Sequence, residues 1–142
     1  MSFTASAAPV AGGLRHEIDV NGRHTIHTDE PAKLGGTDTA PAPHELLPAM
    51  VASCVSTMVA LYARRHGWPV EGLRTEVDYD PDTTPRRVRV ELHLPAAITG
   101  EQAARLRRVA ETCPVRRAFE AGFQFEEVVR AGGGQSPDAE AA

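Results

Sequence analysis

The sequence predicts an α+β fold in which antiparallel sheet packs on two long central helices. Three observations predict it. Strand-like and helix-like segments run in the order β-β-loop-α-β-β-α-(α)-β, which disfavours a doubly wound parallel sheet. Asn21-Gly22 stands between two strand-like runs, the strongest short hairpin signal. The stretch 43–66 is apolar nearly all round through its middle, which marks a core helix.

The elements follow in order. Segments 14–20 and 23–28 flank Asn21-Gly22, and Leu14, His16, Ile18 and Val20 alternate with Arg15, Glu17 and Asp19. One face of this hairpin is largely apolar and the other charged. Asp29-Glu30-Pro31 ends it. Residues 32–43 hold Gly35-Gly36, Pro41 and Pro43 and read as a loop, and long loops are often functional. The helix then runs to Gly67, a natural C-terminal stop, with Pro69 beyond. Arg64 and Arg65 in its last turn suit the helix dipole. Its middle, 49–63, has no charged residue, but the apolar run is too short and too interrupted by Ser and Thr to suggest a bilayer span.

Segments 70–79 and 87–94 alternate apolar and polar residues around a turn rich in Asp and Pro, and read as a second hairpin. Thr99-Gly-Glu-Gln102 fits a capping box that starts a helix, which Pro114 ends or kinks. A short further helix over 115–121 closes at Gly122, and 123–129 reads as a last strand. Residues 1–13 are expected to form an N-terminal arm, 14–130 a single domain and 131–142 a disordered polar tail.

The chain has 142 residues, enough for one domain with a real core, and a net charge of −4. That charge gives nucleic-acid binding no support. The start lacks the pattern of a secretory signal, so a cytoplasmic protein is expected. In that compartment two cysteines point to redox chemistry or metal more than to a structural bridge. The six histidines and two cysteines show no zinc-type spacing, so no metal site is expected. No Gly-x-Ser-x-Gly hydrolase elbow is present.

Cys54 lies mid-helix, at spacings of three and four from Leu47, Met50, Val51, Met58 and Leu61. By itself it reads as a buried structural cysteine. Cys113 follows Leu106, Val109 and Ala110 on the apolar face of the second helix. In a small fold both faces point into one core, so the two cysteines are candidates for contact. The first helix is apolar on more sides than a lone sheet covers, which favours an obligate homodimer.

The run from Asp29-Glu-Pro through Leu34-Gly-Gly and Pro43-His-Glu-Leu-Leu47 to Cys54, with the distant Cys113-Pro-Val, closely resembles the OsmC/Ohr family. The resemblance covers residues 14–130 and includes the element order. It implies an intertwined OsmC-like homodimer with an active site at the subunit interface. It also implies a thiol-dependent peroxidase of organic hydroperoxides, with Cys54 peroxidatic and Cys113 resolving.

That chemistry uses no metal or flavin. The thiolate becomes a sulfenic acid, the second thiol condenses with it to a disulfide, and an external dithiol of lipoyl or thioredoxin type reopens the bond. Cys54 sits two to three turns into its own helix, too far for that helix's N-terminus to activate it, so a cation is required. In the family's peroxidase branch the cation is an arginine of the N-terminal hairpin held by a glutamate. Arg15 is the first candidate and Arg23 the second. The glutamate is where the chain departs from the family's Pro-Glu-x-Leu. Here His44 takes that position and the carboxylate moves to Glu45, about 100° round a helix. Both remain candidates to hold the arginine. The competing reading is a non-catalytic protein that binds a small apolar ligand at the dimer interface or senses redox state.

Overall fold

The computed structural model describes residues 1–132. The first three strands, β1 (Ala5–Pro9), β2 (His16–Val20) and β3 (His24–Thr28), form one antiparallel sheet in that order. Two 3-10 turns, Ala32–Leu34 and Pro43–Glu45, lead into the long helix α1 (Leu46–Arg65). Strands β4 (Arg74–Asp80) and β5 (Arg87–His93) pair as a second antiparallel sheet. Helices α2 (Gly100–Ala110) and α3 (Pro114–Ala121) follow. The architecture is α+β, as the element order predicts.

Local chemistry explains the boundaries. Asn21 and Gly22 adopt φ of 55° and 66°, the left-handed pair that a type I′ turn needs. Asp19 accepts a hydrogen bond from the Gly22 amide at 2.8 Å and steadies the turn. Thr99 caps α2: its hydroxyl accepts from the Gln102 amide at 3.2 Å, and the Gln102 side chain accepts from the Thr99 amide at 2.9 Å. Pro114 starts α3 because the first turn of a helix needs no proline N–H.

The core sits between α1, α2 and the β4–β5 sheet. Val51, Val55, Val59 and Ala63 form one buried stripe of α1, against Leu106, Ala110 and Cys113. This stripe is not the face expected from Cys54. Met50 and Leu61, expected beside it, are 48% and 43% exposed. A helix apolar all round carries no signal of which stripe faces its own sheet, and the sheet's position decided it. Helix Pro43–Arg65 also meets the length and composition of a membrane span, contrary to the expectation that its apolar run is too short. Its place as a core helix follows from packing, not length.

Three further expectations change. Residues 1–13, expected as an arm, include β1, which pairs with β2 from Ala5↔Val20 to Pro9↔His16. Residues 123–129, expected as a last strand, join no sheet, and Phe123 and Phe125 are 59% and 86% exposed. A strand needs a partner brought alongside as well as a suitable residue pattern, and among the described residues no strand lies in register with this segment. Cys113 is not on α2 but is the N-cap of α3, because α2 ends at Ala110. Of the tail 131–142, positions 133–142 lie outside the described residues.

Candidate functional site

The site begins where α1 passes the start of α3. Cys54 is half-buried on the flank of α1, and Cys113 is fully buried. Cys54 packs against the core cluster that contains Cys113, and the two thiols perturb each other. Both sulfurs also meet the first turn of α3, whose amide groups lack helical acceptors. The Arg116 amide donates to the Cys113 sulfur at 3.4 Å. The Val115 backbone hydrogen-bonds the Cys54 sulfur. A helix N-terminus therefore does lie near Cys54. It is not that of its own helix but the first turn of α3, and only the tertiary fold brings it there.

The electrostatic balance at Cys54 is adverse in a single chain. Burial pushes its thiol pKa up, and the hydrogen bond to Cys113 adds to the rise. The Val115 amide pulls it down, and the charge on Cys113 raises it again. The net direction is upward, so Cys54 needs a cation to become a good nucleophile at neutral pH.

The structure does not gather the other sequence candidates into one clamp. Glu45 Oε2 accepts from the Ala42 amide at 2.9 Å, closing the 3-10 turn before α1. His44 Nε2 lies 3.3 Å from the Tyr79 hydroxyl, with the two rings edge to face. Arg23 is exposed beside the hairpin turn. Arg15 donates from Nη1 to the Thr39 hydroxyl at 2.8 Å.

Behind Thr39 lies a residue that sequence reasoning missed. Asp29, 1% exposed, ends β3 and accepts from the Glu30 amide at 2.8 Å, the Thr37 amide at 3.2 Å and the Thr39 amide at 3.2 Å. The Thr37 and Thr39 hydroxyls also point at its Oδ2. These donors, the Thr37 hydroxyl foremost, outweigh burial and hold the carboxyl well below the usual range. The sequence showed an Asp before a Pro and two Thr in a loop, a pattern common in turns and carrying no signal of burial.

Elsewhere, an apolar groove of about 780 Å³ runs between β5 and helices α2 and α3. Val88, Val90, Leu92 and Leu94 form its floor, Phe119 one wall, and Arg107 and Arg116 its rim. On the second sheet Glu76, Glu91 and His93 place ligand-type atoms within 4.8 Å of one another. Both carboxylates are already paired, Glu76 with Arg74 at 2.9 Å and Glu91 with Arg89 at 3.1 Å. This exposed ladder offsets the like charges that face each other across the strands.

The fold is α+β and brings its two free cysteines to the start of one helix. Comparison with known proteins is specific. A family model described as OsmC-like protein matches residues 36–128, and the chain belongs to that family. Among solved structures, a Psychrobacter arcticus protein assigned to the osmotic stress induced and detoxification response is 26% identical, with TM-score 0.68. The match covers 82% of this chain and 87% of that one. An organic hydroperoxide resistance protein OsmC from Legionella pneumophila shares the fold at 22% identity and TM-score 0.57, over 82% and 88% of the two chains. An OsmC-like protein of unknown function from Vibrio cholerae shares it at 12% identity and TM-score 0.61, over 82% and 92%. No curated protein sequence matches the chain.

Proposed function

We propose that this chain is a cytoplasmic, thiol-dependent peroxidase that reduces organic hydroperoxides. The observation that carries the reading is the pair of neighbouring free thiols, Cys54 partly open and Cys113 closed off from solvent. The Cys54 thiolate attacks the terminal peroxide oxygen and the O–O bond breaks. The alcohol leaves with a proton, and Cys54 becomes a sulfenic acid. Cys113 then attacks that sulfur, water leaves, and a Cys54–Cys113 disulfide forms. An external dithiol returns both thiols by exchange and is itself oxidised. No metal or organic cofactor takes part. The guanidinium of Arg15 supplies the charge that Cys54 lacks, while Glu45 and His44 shape the helix entrance.

The functional unit is an intertwined homodimer. The apolar face of the first sheet supports this, since Ile26 is 43% exposed and nothing in that sheet except Thr28 is buried. Exposed Met50, Leu61, Phe123 and Phe125 add to the uncovered apolar surface. The groove floored by β5 favours a second reading, a binder of a small apolar ligand.

The deciding experiment follows consumption of cumene hydroperoxide with dihydrolipoamide or dithiothreitol as reductant. Turnover abolished by Cys54→Ser is the expected result. With Cys113→Ser, Cys54 should accumulate as sulfinic acid under excess peroxide, read by mass spectrometry. Wild-type turnover no higher than that of Cys54→Ser would overturn the peroxidase. Apolar-ligand affinity unchanged by Cys54→Ser would then support the binder.

A further inference from the structure

The position of Glu45 leaves a gap in the proposed reaction. An arginine that activates a thiol must be held, because its side chain otherwise loses up to about 2 kcal/mol of rotamer freedom each time it engages. Glu45 does not hold Arg15: its carboxylate is committed to the Ala42 amide. His44 does not hold it either: its Nε2 faces the Tyr79 hydroxyl on β4.

The hydrogen bonds around Arg15 run in one direction only. A guanidinium has donors and no acceptor, so the Thr39 hydroxyl must accept from Arg15. That leaves the single Thr39 proton for Asp29 Oδ2, 3.0 Å away. The Asp29 carboxylate in turn accepts at every contact it makes, as an ionised carboxylate must. The order is therefore guanidinium to hydroxyl to carboxylate. It amounts to an ion pair with one hydroxyl inserted.

The anchor is rigid. Asp29 is buried, forms no direct ion pair among the described residues, and is tied to both ends of the 29–39 segment. Its amide donates to the Pro41 carbonyl at 3.0 Å, and the Asp38 amide donates to the Glu30 carbonyl at 3.1 Å. Gly36 packs so close to the Glu30 backbone that no side chain fits there. The donors offset the cost of burying the carboxylate. It also presents the Thr39 hydroxyl at one fixed place. Thr39 itself is exposed, so its hydroxyl is not needed to fill the core.

We propose that Asp29 and Thr39 are the positioning residues for Arg15, orienting the cation that activates Cys54 in place of a helix-entrance glutamate. This rests on the peroxidase reading and on Arg15 as its cation. Neither Asp29 nor Thr39 touches substrate or the reacting sulfur. They act through Arg15.

The test uses the full-length protein with Cys113→Ser as background and reads two rates at pH 7: alkylation of Cys54 by iodoacetamide and its oxidation by cumene hydroperoxide. Thr39→Val keeps the shape and removes the hydroxyl, Thr39→Ser keeps the hydroxyl, and Arg15→Gln removes the charge. Thr39→Val should slow peroxide oxidation about tenfold, the scale of one lost hydrogen bond to a charged group. Thr39→Ser should restore it, and Thr39→Val should add nothing once Arg15→Gln is present. Circular dichroism and thermal melting of Thr39→Val should match the background protein. If Arg15→Gln slows the reaction and Thr39→Val does not, the positioning role fails and the peroxidase stands. If Thr39→Val slows it equally with and without Arg15, the effect does not pass through Arg15 and the proposal also fails. If Arg15→Gln leaves both rates unchanged, the choice of Arg15 fails with it. Loss of all peroxide reactivity in the background protein itself marks failure of the peroxidase reading.

Discussion

Replacing Gly36 by Ala tests the loop on which the Arg15 network rests. A Cβ built there overlaps the Glu30 carbonyl oxygen, and lies 2.5 Å from its carbon and 2.9 Å from its Cα. All three atoms are backbone, so no side chain can swing aside. Relief requires the chain to part by roughly 1 Å, given ordinary carbon contacts of about 3.5 Å. That movement breaks the hydrogen bonds from the Gly36 amide to the Pro31 carbonyl, 3.2 Å, and from the Asp38 amide to the Glu30 carbonyl, 3.1 Å, and it pulls the Thr37 donors off Asp29. Two backbone hydrogen bonds at about 1 kcal/mol each, plus overpacking of 1–3 kcal/mol, predict a loss of about 3–5 kcal/mol. For a chain of this size that is on the order of 6–20 °C in Tm.

Two other glycines calibrate the result. Gly35 has φ of 93° and its nearest neighbour is the Leu14 side chain at 3.9 Å, so Gly35→Ala should lose only the left-handed penalty, about 1–2 kcal/mol. Gly100, at the start of α2, has open space around it, so Gly100→Ala should be neutral or stabilising by up to about 1 kcal/mol. Thermal and urea unfolding of the three variants should rank Gly36→Ala far below Gly35→Ala, and Gly100→Ala at or above wild type. A Gly36→Ala melting point within about 1 °C of wild type would refute the close approach and the rigidity argued from it.

Two further outcomes follow from the same geometry. Asp29 is held below the usual carboxylate range, so the unfolded chain binds its proton first as pH falls; its contribution is complete above about pH 4 and is lost as pH drops through the unfolded value and toward the folded one. Urea midpoints between pH 6 and pH 2.5 should fall less steeply in Asp29→Asn than in wild type, and equal slopes would argue against it. Among the described residues the buried Thr75 hydroxyl has no partner, so Thr75→Val should raise stability by about 1 kcal/mol, whereas a drop of that size in urea unfolding would mean that the hydroxyl is bonded in solution.

Local chemistry made much of this protein legible in its sequence. Asn21-Gly22, the Thr99/Gln102 box, Pro114 and Gly122 act within a few residues of themselves, so the turns and helix ends follow directly from residue type. Strict alternation in 74–80 and 87–93 did the same for the second hairpin. Cys54 and Cys113 were readable as a pair from the two halves of the family motif. The rest depended on what lies across space. An α1 that is apolar on every side does not say that Val51, Val55, Val59 and Ala63 face the sheet while Cys54 sits at the edge. Residues 123–129 read as a strand but join none among the described residues, because pairing is a property of two segments. The first turn of α3 reaches Cys54 only through the fold. The sequence also offered Glu45 and His44 as partners for Arg15, by proximity to the helix entrance. Tertiary structure gave that part to Thr39 and Asp29, because a hydrogen bond forms where donors and acceptors converge in space, and residue order alone does not set that distance.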